Sequence, residues 1–192
     1  VILSLPFDDQ LAQHRDLFGR LDALGPDVQR AADALSDALR RGGKIMLCGT
    51  GGSAADSQHL AAEFTGRFIK DRRPLAALAL STDSSALTCI ANDYAFDQVF
   101  ERQLRALGRA GDALVAISTS GRSGNVQRAA LAAREIGIGV IGLLGRDGGT
   151  LKALCDVALV VPSDSTARIQ EAHIFIGHTL CAMVERSLGL AS

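Results

Sequence analysis

The chain has 192 residues, 47% of them hydrophobic, and a formal net charge of −1. That is enough apolar material for one domain with a sizeable core, and it excludes a disordered chain. Near-zero charge, no Trp and a single Tyr leave little to attract nucleic acid or an acidic membrane surface.

Residues 8–41 carry an apolar stripe that includes Leu11, Leu17, Leu21, Val28 and Leu35, broken at Gly25-Pro26. The pattern predicts two helices, the second with Pro26 near its first turn. Both look too amphipathic to stand free in water; they either cover the sheet or pack on another subunit. Lys44–Cys48 reads as a strand and Ala54–Phe68 as a helix. Leu75–Leu80 reads as a second strand, followed by helices over Ser84–Asn92 and Ala95–Arg109. Asp112–Ser118 is the third predicted strand, Val126–Ile136 a helix and Val140–Leu144 the fourth strand. Thr150–Cys155 is a helical turn, Val157–Val161 the fifth strand and Ala167–Ser187 a long last helix. Continuous apolar strands alternating with helices predict an α/β fold, a five-stranded parallel sheet flanked by helices in a three-layer sandwich. The expected organisation is a single domain over 1–192, with 1–41 an N-terminal helical extension used in subunit packing.

The first residues lack the basic-then-apolar pattern of a signal peptide, and no apolar run reaches the roughly 18–20 residues needed to cross a bilayer. Four scattered cysteines (Cys48, Cys89, Cys155, Cys181) with no CxxC pair are expected to be buried free thiols in the cytoplasm.

Two glycine- and hydroxyl-rich segments lie between a strand and a helix. In Gly49-Thr50-Gly51-Gly52-Ser53, free backbone N–H groups and the helix dipole can receive an anion. Alone this loop is equally well a structural turn, since it matches neither a dinucleotide fingerprint nor a Walker loop. In Ser118-Thr119-Ser120-Gly121-Arg122-Ser123, four hydroxyls in six residues exceed what a helix cap needs and suit a phosphomonoester. On the helix after the first loop, His59 and Glu63 are four residues apart and share a face. His178 lies among Phe175, Ile176, Leu180 and Cys181, so it is expected to be buried, as a proton-transfer group or a zinc ligand. Asn92-Asp93 alone reads as an Asx turn, Arg67 as a helix-end cap and His14 as an ordinary helical histidine.

Taken in order, GGKIMLCGTGGSAADSQHLAAEFTGRF, LSTDSSALTCIANDYAFDQVFERQL, ISTSGRSGNV, GLLGRDGGTL and VPSDSTARIQEAHIFIGHTLC resemble the phosphoheptose isomerases of the sugar-isomerase (SIS) domain superfamily. The resemblance spans Gly42 to Glu185. It implies a flavodoxin-like fold and a homotetramer that converts sedoheptulose 7-phosphate to glycero-manno-heptose 7-phosphate for lipopolysaccharide or other surface glycans. It implies Zn2+ held by His59, Glu63, Gln170 and His178; moving a proton between C1 and C2 needs a base and a proton shuttle, for which Glu63 and His178 are the expected catalytic residues. Substrate contacts are implied at Thr50, Gly51, Gly52, Ser53, Glu63, Asn92, Asp93, Ser118, Thr119, Ser120, Ser123 and Gln170. Thr50 departs from the family's usual Asn, losing an amide's two donors. A non-catalytic relative that binds the bacterial replication initiator, or a sugar-phosphate sensor, is the alternative; retention of Glu63 and His178 favours the enzyme. Gln170 and His178 are eight residues apart, roughly 12 Å along a regular helix, so one metal is not expected to take both from the same continuous helix. Either the last helix begins irregularly near Gln170 or the ligands come from two subunits; the second is expected, which places the site at a subunit interface.

Overall fold

Strands whose every residue is apolar have to be covered on both faces, and the chain does this with a helix after nearly every strand. The computed structural model describes residues 6–190, so the first five residues of the 1–41 extension lie outside the described residues. The extension forms α1 (Phe7–Phe18) and α2 (Gly25–Arg40), joined by a 3₁₀ turn at Leu21–Leu24. Pro26 lies in the first turn of α2, where its missing N–H has no intrahelical partner to lose. Then come β1 (Ile45–Cys48), α3 (Gly52–Thr65), β2 (Ala77–Ala79) and α4 (Ser84–Asp93). α5 (Val99–Leu107), β3 (Ala113–Ser118), α6 (Gly124–Ile136), β4 (Gly139–Gly145), β5 (Val157–Val161) and α7 (Thr166–Ser187) complete the order.

All strand pairs are parallel, in the order β2-β1-β3-β4-β5. This is the flavodoxin-like doubly wound arrangement expected. Alternation along the strands divides the core in two. Ile45 and Leu47 face the layer of α2, α3 and α7, whereas Met46 and Cys48 face the layer of α5 and α6.

Some expectations are corrected. The helix expected over Ala95–Arg109 is a 3₁₀ turn at Phe96–Gln98 followed by α5. α3 stops at Thr65, and β2 keeps only three residues of the expected strand. The thiols are free, but Cys89 is exposed and Cys155 half-buried. α4, which carries Cys89, contributes no fully buried residue, so its apolar side chains lie at the margin of the core.

α3 and α7 lie side by side and parallel. The Gln170 side chain lies against Gly52, Gly177 meets Leu60, and Glu185 meets the segment just beyond Thr65. A Cβ at Gly177 would stand 2.5 Å from Leu60 Cδ1, so the contact is closest with glycine there and Leu60 would have to give way to any other residue. α7 also settles which histidine is buried. Ile169, Ala172, His173, Ile176 and Leu180 form its core-facing stripe, and His173 is 0% exposed, whereas His178 is only half-buried. His173 Nε2 lies 2.9 Å from the Leu144 carbonyl, which can only accept, so Nε2 carries the hydrogen. Nδ1 is buried with no partner among the described residues.

Burial lowers the His173 pKa from 6.5 to about 4, the bond to Leu144 opposing the shift. The unfolded chain therefore takes up a proton that the folded one refuses, and stability is lost as pH falls from 6.5 towards 4. The slope contributed is at most about 1.4 kcal/mol per pH unit. Urea midpoints measured across this window are expected to fall more steeply for the wild type than for His173→Gln; parallel profiles would contradict the assignment.

Candidate active site

The order reversal in the sheet falls between β1 and β3, and the two loops singled out in the sequence leave the carboxyl ends of these neighbouring strands. A doubly wound sheet opens its ligand crevice at that position. The first loop runs from Cys48 to the start of α3 at Gly52, leaving Gly51 and Gly52 exposed and Ser53 buried. At the head of α3 the Ser53 and Ala54 N–H groups donate to the Thr50 and Gly51 carbonyls at 3.1 and 3.0 Å, which folds the loop onto the positive end of the helix dipole. Gln170 reaches across from α7 so closely that a Cβ on Gly52 would collide with its amide. This explains the glycine, and it puts Gln170 at the loop end of α7.

The second loop is folded by its own hydroxyls. Ser118 Oγ accepts from the Gly121 N–H at 3.1 Å and lies 3.0 Å from Ser123 Oγ. Ser120 Oγ accepts from the Arg122 N–H at 3.2 Å. Ser118 is buried, while Thr119, Ser120 and Ser123 are half-buried at the rim. Between the two loops lies a cleft of about 320 Å³ lined by Thr50, Phe96, Asp97, Ser123, Gly124 and Asn125. Phe96, Asp97 and Asn125 were not anticipated. The first two come from the 3₁₀ turn that interrupts the expected helix, which strand and helix periodicity does not reveal. A second cavity of about 350 Å³, between the N-terminal helices and α7, is mainly apolar and lies away from these loops.

Asn92 and Asp93 are the last residues of α4, where an Asx turn after the helix was expected. Asn92 Nδ2 donates to Asp93 Oδ1 at 2.8 Å. That bond and the Cys89 thiol hold the Asp93 carboxyl below its usual range. Arg67 donates to the Ile69 carbonyl at 3.1 Å, and His14 pairs with Glu171 at 2.9 Å while stacking on Phe18.

About two and three helical turns along α3, His59 and Glu63 face His178 of α7. His59 Nε2 is 2.8 Å from His178 Nε2 and 3.4 Å from Glu63 Oε1, and one donor atom from each of the three lies within 4.8 Å of the others. The two ring nitrogens can hydrogen-bond only if one is protonated and the other bare. Tetrahedral binding at about 2.0–2.1 Å separates nitrogen and oxygen donors by about 3.3 Å, so the set also fits a divalent metal. Glu63 is less exposed than His59, with 21% of its side chain accessible against 48%. The Phe68 ring covers His178, with centroids 5.3 Å apart. One turn before His59, Asp56 has a buried carboxylate oxygen without a partner among the described residues; burial raises its pKa and His59 opposes the rise.

The Gln170 amide lies against Gly52, at the head of α3. α7 is regular from Thr166 onward, so the possibility of an irregular start near Gln170 is not realised. The expectation that separate subunits must supply the ligands does not apply to His59, Glu63 and His178, which come together within one chain.

The SIS-domain family profile matches residues 11–145. The phosphoheptose isomerase of Rhodospirillum rubrum is 53% identical over 90% of this chain and 92% of its own length. The structure of phosphoheptose isomerase GmhA from Neisseria gonorrhoeae, 49% identical, superposes with a TM-score of 0.88 over 92% of this chain and 95% of the other. A phosphoheptose isomerase from Francisella tularensis, 36% identical, gives 0.90 over 93% and 96%. With the paired strand-end loops and the His–Glu–His cluster, these similarities identify the chain as a member of the SIS-domain family and, within it, of the phosphoheptose isomerases.

Proposed function

We propose that this chain interconverts sedoheptulose 7-phosphate and D-glycero-D-manno-heptose 7-phosphate through an enediol, with the phosphate at the two strand-end loops and carbons 1 and 2 at the His59–Glu63–His178 cluster. The observation that carries this reading is the placement of an anion crevice and an acid–base cluster at two points of one helix. Gly52 and His59 are seven residues apart on α3, about 10 Å along its axis, a span suited to an extended sugar phosphate. A sensor would use the loops alone and leave the cluster without a role.

The residues divide the work as follows. Thr119, Ser120 and Ser123, with the positive end of the α3 dipole, take the phosphate oxygens, while Thr50, Ser53, Asn92, Asp93 and Gln170 orient the hydroxyls. The Glu63 carboxylate removes a proton from C1 of the ketose, and the electron pair moves towards C2 as the carbonyl oxygen receives a proton from His178. His178 then takes the proton from the C1 hydroxyl, and Glu63 returns one to C2, which completes the aldose. The facing Nε2 atoms of His59 and His178 give that proton a second resting place.

Zn2+ held by His59, Glu63 and His178 would polarise the carbonyl and hydroxyl oxygens. A carboxylate bound to a metal is a poorer base and an imidazole nitrogen bound to one carries no proton, so Glu63 and His178 act on the substrate only when their hold on the ion is weak. Gln170, roughly 12 Å along α7 from His178, completes the set only across a subunit boundary. A homotetramer in the cytoplasm is the assembly we propose, its product entering lipopolysaccharide or another surface glycan. The apolar cavity beside α7, lined in part by Phe18, Val28, Phe175 and Met183, supports packing of the 1–41 extension against another subunit.

Two measurements test the chemistry. Glu63→Gln keeps the shape of the side chain and removes the base, and kcat is expected to fall by about 10²–10⁴ with KM little changed; turnover near the wild-type level would refute the role. Dialysis against a chelator is expected to abolish turnover and Zn2+ to restore it, whereas full activity in protein verified as metal-free would remove the metal from the account.

A further inference from the structure

The buried cation beneath the cluster is not explained by folding alone. Arg72 lies in the loop after α3, and its side chain and that of Glu185 on α7 are each only 2% exposed. Its Nε donates to Glu185 Oε1 at 2.7 Å. Nη2 donates to the Glu63 carbonyl at 2.7 Å, and Nη1 to those of Phe64 and Gly66, each at 2.8 Å. Glu185 Oε1 also accepts the Phe68 N–H at 3.2 Å, and the Phe68 ring rests on His178.

The last carbonyls of a helix have no intrahelical donors and favour a nearby positive charge. Capping alone would be met by solvent or by a lysine at the surface. Here a single guanidinium bonds the main chain of Glu63 on one helix and the side chain of Glu185 on the other. Glu185 lies seven residues beyond His178, two turns along and on nearly the same face of α7.

We propose that Arg72, with Glu185, is a positioning residue that fixes the axial register of α3 against α7, and so the placement of Glu63 relative to His178. Its rigid fork can bond carbonyls and a carboxylate in different directions at once, which a lysine ammonium at the same place does not reproduce. The proposal rests on the reading of Glu63 and His178 as the acid–base pair. A displacement of about 1 Å at such a pair can cost about a hundredfold in rate. The anion loops sit at the other end of α3 and are held by their own hydrogen bonds.

The test compares wild type, Arg72→Lys, Glu185→Ala and Glu185→Gln as intact protein, measuring kcat and KM for sedoheptulose 7-phosphate, Co2+ affinity after chelation, and thermal unfolding. Arg72→Lys and Glu185→Ala are expected to lose at least about tenfold in kcat, with KM within about twofold, and to bind Co2+ at least about tenfold more weakly. Glu185→Gln keeps an oxygen acceptor for Arg72 and Phe68 and is expected to retain most of kcat. Folded Arg72→Lys with wild-type kcat and Co2+ affinity, at any melting temperature, overturns the proposal. If that variant does not fold, the split between Glu185→Ala and Glu185→Gln decides: equal kcat values overturn it, and a selective loss in Glu185→Ala supports it. Failure of the wild type itself to bind Co2+ would sink the metal reading alone, because the kcat comparison does not depend on it.

Discussion

The close parallel contact of α3 and α7 at Leu60 and Gly177 is the constraint on which the site depends. His59 immediately precedes Leu60 and His178 immediately follows Gly177, so the pair that brings the helices together brings the two imidazoles to 2.8 Å. Absence of a side chain at 177 allows the closest approach, since a Cβ there meets Leu60. The helices are parallel because each follows a strand of a parallel sheet, and both lie on the same face of it. Sheet topology thus sets the direction, a glycine sets the separation, and the buried Arg72–Glu185 pair bridges the far end.

Much of this was legible in the chain, for identifiable reasons. Continuous apolar runs specify the parallel sheet, and a spacing of four places His59 and Glu63 on one helical face. The third member, His178, is 119 residues from His59 and is joined to it only by tertiary packing, so local sequence could not pair them. Its expected burial was drawn from apolar neighbours in the chain. Helical phase assigns burial instead to His173, which shares the stripe of Ile169, Ile176 and Leu180. The same limit applies to Phe96 and Asp97, which reach the cleft because a 3₁₀ turn interrupts a segment with helical periodicity. The Gln170 position was half legible. Its distance from His178 along a helix argued against a shared metal, but its seat over Gly52 needed the packed helices.

The site also divides its polar groups between holding shape and meeting substrate. Ser118 and Ser120 spend hydroxyl contacts on the backbone of their own loop, which orders it before a phosphate arrives. A preordered anion loop costs less on binding than one that must first assemble. The cluster has the opposite character: its donors bond one another at distances that suit a shared proton or a metal, and His59 and His178 keep open sides. One end of α3 is therefore built to bind and the next turns to exchange protons, with the buried pair beyond them to keep the turns in place.

The most direct measurement is anomalous diffraction at the zinc edge from crystals of the intact protein grown with Zn2+. The account predicts one peak per chain, about 2.0–2.2 Å from Nε2 of His59, Nε2 of His178 and a carboxylate oxygen of Glu63, all of the same chain. A peak that engages α3 without α7, or none at the cluster while the anion loops hold their geometry, would contradict it.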